Sequence, residues 1–186
     1  MNTREVQQRL VDIGWPIAVD GSYGTATFEA VRCFQQGYSA ADLLVDGHAG
    51  PQTWHALDVC CFFGGACGNN FWYREFKSRG DGWIRVNREL VRGLVRYRQA
   101  YGPTSVVSGY RDPGRNRAVG GASNSQHLYG NAADIPAIAS VNAVRNLRVF
   151  SGIGHDPNGK VRHVDVRHVG PNSTGGTPAN PTIWRY

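Results

Sequence analysis

The chain has 186 residues, 41% of them hydrophobic and 18% charged, with a formal net charge of +6. That length suffices for one or two small domains with cores of their own, and no segment is apolar for long enough to cross a membrane. The basic balance favours anionic partners, but the arginines are scattered and no Lys/Arg run marks a nucleic-acid groove, so nucleic acid is not expected as a partner.

The first residues lack an apolar h-region and a cleavage site, so no secretory signal is read there. Residues 3–14 read as a helix, with Thr3 as cap and Val6, Leu10, Val11 and Ile13 as its apolar stripe. An internal repeat follows with a period of 26 residues, 20–31 aligning with 46–57. Each copy is an Asp-Gly turn (Asp20-Gly21, Asp46-Gly47), a second Gly, then a helix start, with Pro51 suited to the first turn of the second copy. A small helical bundle without a ligand would show the same repeat.

Residues 59–70 read as a linker. The four cysteines are Cys33, Cys60, Cys61 and Cys67. A bond between the neighbours Cys60 and Cys61 would be strained, which leaves two disulfide pairings, and four reduced thiols stand as an equal alternative. A cysteine zinc site is disfavoured, because no Cys-x-x-Cys pair repeats. The aromatic run at 71–76 reads as core. Residues 85–101 form an amphipathic helix whose arginines read as a solvated face, and Gly102-Pro103 ends it. Residues 104–108 read as a short strand that delivers Arg111 to a loop, and 112–124 as a flexible polar loop rimming a cleft.

The chemistry lies further on. His127 and Asp134 are seven residues apart with Gly130 between them, which disfavours a regular helix and favours a loop entering a buried strand at 132–135. Residues 141–150 read as a second helix, 151–154 as a short strand or turn, and His155 as a surface residue of a turn. Residues 161–166 alternate, with Val164 and Val166 on one face and His163 and Asp165 on the other. His168 would then fall on the valine face. If it is to reach a metal, the strand must bulge or end near Arg167. The tail is rich in Gly, Pro, Asn and Thr, and only 182–186 reads as a final edge strand.

Two imidazoles and one carboxylate drawn from these segments would make an N/N/O zinc site with one position left for water, as catalytic zinc requires. Asp165, three residues before His168, suits a base acting on that water. No Gly-x-Ser-x-Gly elbow, His-Glu-x-x-His pair or Walker-type loop offers another chemistry.

The pattern Ser125-x-His127-x-x-Gly130-x-Ala132-x-Asp134, then His163-x-Asp165-x-x-His168, preceded by Ser108-Gly109-Tyr110-Arg111, resembles the zinc D-Ala-D-Ala carboxypeptidases and their wider hedgehog-type family. The resemblance implies one zinc ion held by His127, Asp134 and His168, with Asp165 as catalytic base. It also implies that His163 and Arg111 steady the carbonyl and oxyanion, and that Ser125 and Tyr129 contact substrate. The repeat resembles the three-helix peptidoglycan-binding domain.

The implied architecture is α+β. A helical wall-binding domain occupies 1–58, a linker 59–70, and a peptidase domain with a central antiparallel sheet 71–186. The implied activity is hydrolysis of the peptidoglycan stem or cross-link by a monomer at the bacterial cell wall, reached by secretion or, for a phage endolysin, through holin pores. The alternative is a non-hydrolytic wall-binding protein stiffened by zinc.

Overall fold

The computed structural model describes residues 2–169, 173 and 175–186. Helix α1 spans Thr3–Asp12. Its cap is Asn2, one residue before the expected Thr3: the Asn2 side chain accepts from the Glu5 amide, and the Glu5 carboxylate accepts from the Asn2 amide. This reciprocal pair satisfies two otherwise orphaned donors. Helices α2 (Thr25–Gly37) and α3 (Pro51–Phe62) each begin just after one copy of the Asp-Gly turn.

A buried glutamine organises each turn. The Gln7 amide donates to the Asp20 carboxylate, the Ser22 carbonyl and the Thr27 hydroxyl, and its oxygen accepts from the Gly21 amide. Gln35 repeats the pattern on Asp46, His48, Thr53 and Gly47. The glycines adopt φ of +80° and +75°, a region that side chains avoid.

Residues 59–70 are built into the fold instead of forming a free linker. Helix α3 runs on to Phe62, and β1 (Ala66–Gly68) pairs antiparallel with β2 (Phe71–Trp72). The aromatic run is core, as expected: Phe71, Tyr73 and Phe76 are fully buried. The Tyr73 hydroxyl donates to the Phe34 carbonyl at 2.7 Å, and Arg88 donates to the carbonyls of Gln35 and Leu43, both at 2.8 Å. The helical domain and the rest therefore share one continuous core. Among the described residues the four cysteines are unpaired thiols, three of them buried. Burial pushes the Cys60 thiol up to about 12 and the Cys61 thiol to about 11.

Helix α4 covers Arg88–Tyr101, three residues shorter at its start than expected because Asn87 caps it. Residues 104–108 do not form a regular strand, although Ser108 bridges to Asp134. The expected flexible loop contains α5 (Pro113–Ala118), capped by Asp112. Strand β3 is Ala132–Asp134, and α6 is confined to Val141–Asn146.

Strands β4 (Gly152–His155), β5 (Val161–Asp165) and β6 (Thr182–Arg185) complete a sheet of order β3-β5-β4-β6. Its first two pairings are antiparallel, but β6 lies parallel to β4. The sheet is therefore mixed and not wholly antiparallel, because the tail returns to run alongside β4 in the same direction.

Candidate metal centre

The site forms where β3, β5 and a short 3-10 turn meet. That turn, Gln126–Tyr129, closes on Gly130, which adopts φ +72°. A Cβ there would lie 2.7 Å from the Arg85 backbone, so only glycine lets the chain pass. The turn sets His127 inward, and the strand that follows sets Asp134 beside it. In the register of β3 on β5, Asp134 lies directly opposite His163. Directly paired residues put their side chains on the same face within a few ångströms, so the sheet itself brings these two together.

The result is a triangle. His127 Nε2 lies 3.2 Å from Asp134 Oδ1 and 3.2 Å from His163 Nδ1, and the third side, His163 Nδ1 to Asp134 Oδ1, is 3.0 Å. The far side of each ring fixes what faces inward. His127 Nδ1 is 2.6 Å from the Gly109 carbonyl, an acceptor, so that nitrogen carries the proton. His163 Nε2 is 3.2 Å from Asp165 Oδ2 and donates to it. In the neutral rings two nitrogen lone pairs and a carboxylate oxygen thus converge with no hydrogen between them, an arrangement that needs a cation.

A divalent metal fits the space. Tetrahedral zinc at about 2.05 Å from N and O donors has ligand atoms about 3.3 Å apart. Carbonyl and carboxylate partners behind the rings are what orient histidine ligands toward zinc. Among the described residues this is the group of His, Cys, Asp and Glu side chains able to hold a metal ion.

The charges agree. Burial pushes the His127 imidazolium down, keeping that ring neutral. Burial opposes charge on His163 too, but Asp134 and Asp165 on either side outweigh it and raise its pKa. Burial would raise the Asp134 carboxyl, but hydrogen bonds and charge from its two histidine neighbours, when these carry a proton toward it, outweigh that and hold it far below the usual carboxylate range.

His168, expected as third ligand, is elsewhere. Strand β5 ends at Asp165 and the chain turns at Arg167 and His168, close to where a break was required. The turn carries His168 over to Ser151, whose hydroxyl is 2.8 Å from its Nδ1. His163, expected beside the substrate carbonyl, occupies the third corner of the triangle instead.

Asp165, expected as the base, is fully buried. Besides His163, it accepts from the Arg167 guanidinium at 2.7 Å (Nη2) and 2.9 Å (Nε), and from the Arg167 amide at 3.1 Å. Arg167 in turn lies over the Trp184 ring at 4.7 Å. Asp165 therefore stands behind His163, with both oxygens engaged by His163 and Arg167.

The open face belongs to other groups. Arg111 donates to the Ser108 hydroxyl at 3.0 Å and to Asp134 Oδ2. The Tyr186 hydroxyl lies 3.1 Å from the same carboxylate oxygen, and its ring stacks on His163 at 5.6 Å. The cavity over the triangle has a volume of about 680 Å³. Ser125 lines it, as does the stretch from Val119 to Ala122, so the expected rim is partly present, while Tyr129 does not reach it. Trp184 and Tyr186 had only one sequence signal, the apolar alternation of the last strand.

Residues 70–169 match the family model Peptidase M15, and residues 2–57 match a putative peptidoglycan binding domain. The chain is 35% identical to a zinc D-Ala-D-Ala carboxypeptidase from Streptomyces albus G, over 89% of this chain and 70% of that one. The chain belongs to the peptidase M15 family. It is a zinc metallopeptidase carrying a peptidoglycan-binding domain, and the α+β organisation expected from its sequence holds. No described helix is long and apolar enough to cross a membrane.

Proposed function

We propose that this peptidase hydrolyses D-alanyl peptide bonds of the peptidoglycan stem or cross-link, working at the bacterial cell wall as a monomer. The observation that carries the reading is the triangle of converging lone pairs, because it calls for a metal with an open position in a substrate-sized cavity. The similar Streptomyces enzyme, named for the D-Ala-D-Ala bond, supports the substrate.

In this reading His127, Asp134 and His163 hold the zinc. When bound, it supplies Lewis-acid polarisation of the scissile carbonyl and acidifies water. Asp165 keeps the His163 lone pair aimed inward, and Arg167 keeps Asp165 ionised: burial would raise its carboxyl, but His163 and Arg167 outweigh that and lower it to about 2. Arg111 and the Tyr186 hydroxyl border the open face and donate hydrogen bonds to oxygen that gains charge on the substrate. Trp184 and the Tyr186 ring give one wall of the cavity an aromatic surface.

The test is a digest of purified peptidoglycan by wild type, His163→Ala and His168→Ala, with products read by mass spectrometry and bound zinc measured in parallel. Wild type releases D-Ala or splits cross-linked dimers, which names the bond. His163→Ala loses both zinc and product, whereas His168→Ala keeps its zinc. Zinc retained by His163→Ala and lost by His168→Ala would return the third corner to His168. No product from wild type, with sedimentation on the wall intact, would make the protein a wall-binding module.

A further inference from the structure

A second cavity of about 750 Å³ neighbours the one over the triangle, and the two share Arg111 and Val119 as a common wall. Its other walls carry Arg74, Lys77, Arg79 and Arg115. Among the described residues none of these four has a carboxylate within 4.0 Å. Some cations elsewhere are paired, among them Arg9 with Asp58, Arg32 with Glu29, Arg88 and Arg92 with Asp42, and Arg162 with Asp156, while others such as Arg96, Arg117 and Arg185 have no such partner among the described residues; what sets the groove apart is that four unpaired cations line one concave wall.

One acid, Glu75, lines the cavity, and both its oxygens already accept backbone amides, from Trp72 and Val106. Behind the wall, Asp112 is taken up by the Ser78 hydroxyl and the amides of Asp81 and Arg115. Asp81 itself accepts from the Trp83 amide. The groove thus gathers unpaired positive charge, while its local acids are engaged by neutral donors. A concave low-dielectric wall of one sign focuses its field on whatever enters. Two exposed valines, Val107 (54%) and Val119 (43%), sit among these cations.

We infer that this groove is a binding subsite for an acidic stretch of the substrate peptide, whose free carboxylates meet Lys77, Arg79 and Arg115 while the scissile bond lies over the metal triangle beyond Arg111. The inference rests on the peptidase reading above and extends it to selectivity for acidic peptides. Continuity through Arg111 argues for the same chain that is cut, and the valines suit a peptide with aliphatic as well as acidic side chains. A phosphate-bearing wall polymer would share the anionic chemistry, but it would have no reason to lie in line with the metal.

The test uses two peptides ending in D-Ala-D-Ala and differing only in carboxylate against carboxamide upstream. The proteins are wild type and the triple variant Lys77→Gln, Arg79→Gln, Arg115→Gln, both checked for equal thermal stability. At low salt wild type favours the acidic peptide about 10-fold in kcat/KM, mostly through KM, as one desolvated or two exposed charge pairs would produce. Added salt and the triple variant both bring the ratio to about one, and the carboxamide peptide is cut equally by both proteins. A ratio near one in wild type, or unchanged in the variant, overturns the inference.

Fluorescence anisotropy with a labelled acidic peptide ending in L-Ala reads binding without turnover, and it too is about 10-fold weaker in the variant; equal affinities overturn the inference. If neither peptide is cut but the affinity difference stands, the peptidase reading fails and the groove stands. If the variant loses sedimentation only on walls that retain phosphate polymers, with the peptide ratio unchanged, the groove serves the polymer and the inference falls.

Discussion

Replacing Asp165 by Asn separates two roles that one residue could play. As a base, Asp165 would be needed for the reaction but not for holding zinc. In the structure it has no exposed surface and stands behind His163, accepting from its Nε2 at 3.2 Å while Arg167 grips it at 2.7 Å. The amide keeps the shape but removes the charge. At an effective dielectric constant of about 20, an ion pair with charge centres about 4 Å apart is worth about 4 kcal/mol before desolvation is subtracted. Part of that is lost from stability, because Arg167 is left mostly buried beside a neutral group. His163 also loses the partner that fixes its tautomer, and losses of this kind lower metal affinity about 10- to 100-fold, or about 1.4 to 2.7 kcal/mol. Competition with a chromophoric zinc chelator measures the affinity, and peptide hydrolysis at saturating zinc measures what remains of turnover. The positioning role predicts weakened zinc binding with activity substantially restored when zinc is added. Wild-type zinc affinity with activity lost by about 1,000-fold at full occupancy would refute it and make Asp165 the base.

Gly152 lies opposite Asp165 in the sheet, and a Cβ there would fall 2.3 Å from both carboxylate oxygens, so Gly152→Ala should weaken zinc binding as Asp165→Asn does, measured with the same chelator. Gln35→Leu strands the Gly47 amide and removes the donor shared by Asp46 and Thr53, so it should cost about 2 to 4 kcal/mol in urea unfolding, whereas a mere packing role would cost under about 1.5 kcal/mol. The Cys60 thiol has its pKa raised from 9.0 to about 12, so it favours the folded state fully below pH 9 and loses that contribution as pH rises toward 12. At pH 10.5 the loss is about 2 kcal/mol, and Cys60→Ala or Cys60→Ser should flatten this alkaline limb in pH-dependent unfolding curves.

Local chemistry made much of this protein legible from sequence. The Asp-Gly turns, Pro51 at a helix start, the apolar face of α4 and the alternation of β5 each depend on neighbours a few residues away. So do Gly130 between His127 and Asp134 and the inward placing of that pair. The spacing of His163 and Asp165 likewise told that they share a face.

Which histidine completes the triangle is not a local property. It depends on β3 pairing with β5 so that Asp134 stands opposite His163, and on the turn after Asp165 that hands His168 to Ser151. The roles of Asp165, Trp184 and Tyr186 follow from the same long-range pairings, since burial behind His163 and arrival over the open face are decided by how the strands stack. The two glutamines that anchor the repeated turns were missed for a related reason: Gln7 and Gln35 lie outside the repeated segments and meet them only once the helices pack. Sequence specifies which side chains can do the chemistry and the local turns that present them. Only the register and closure of the sheet select which of them face one another, because side chains on a strand alternate and one residue of slip sends each to the opposite face.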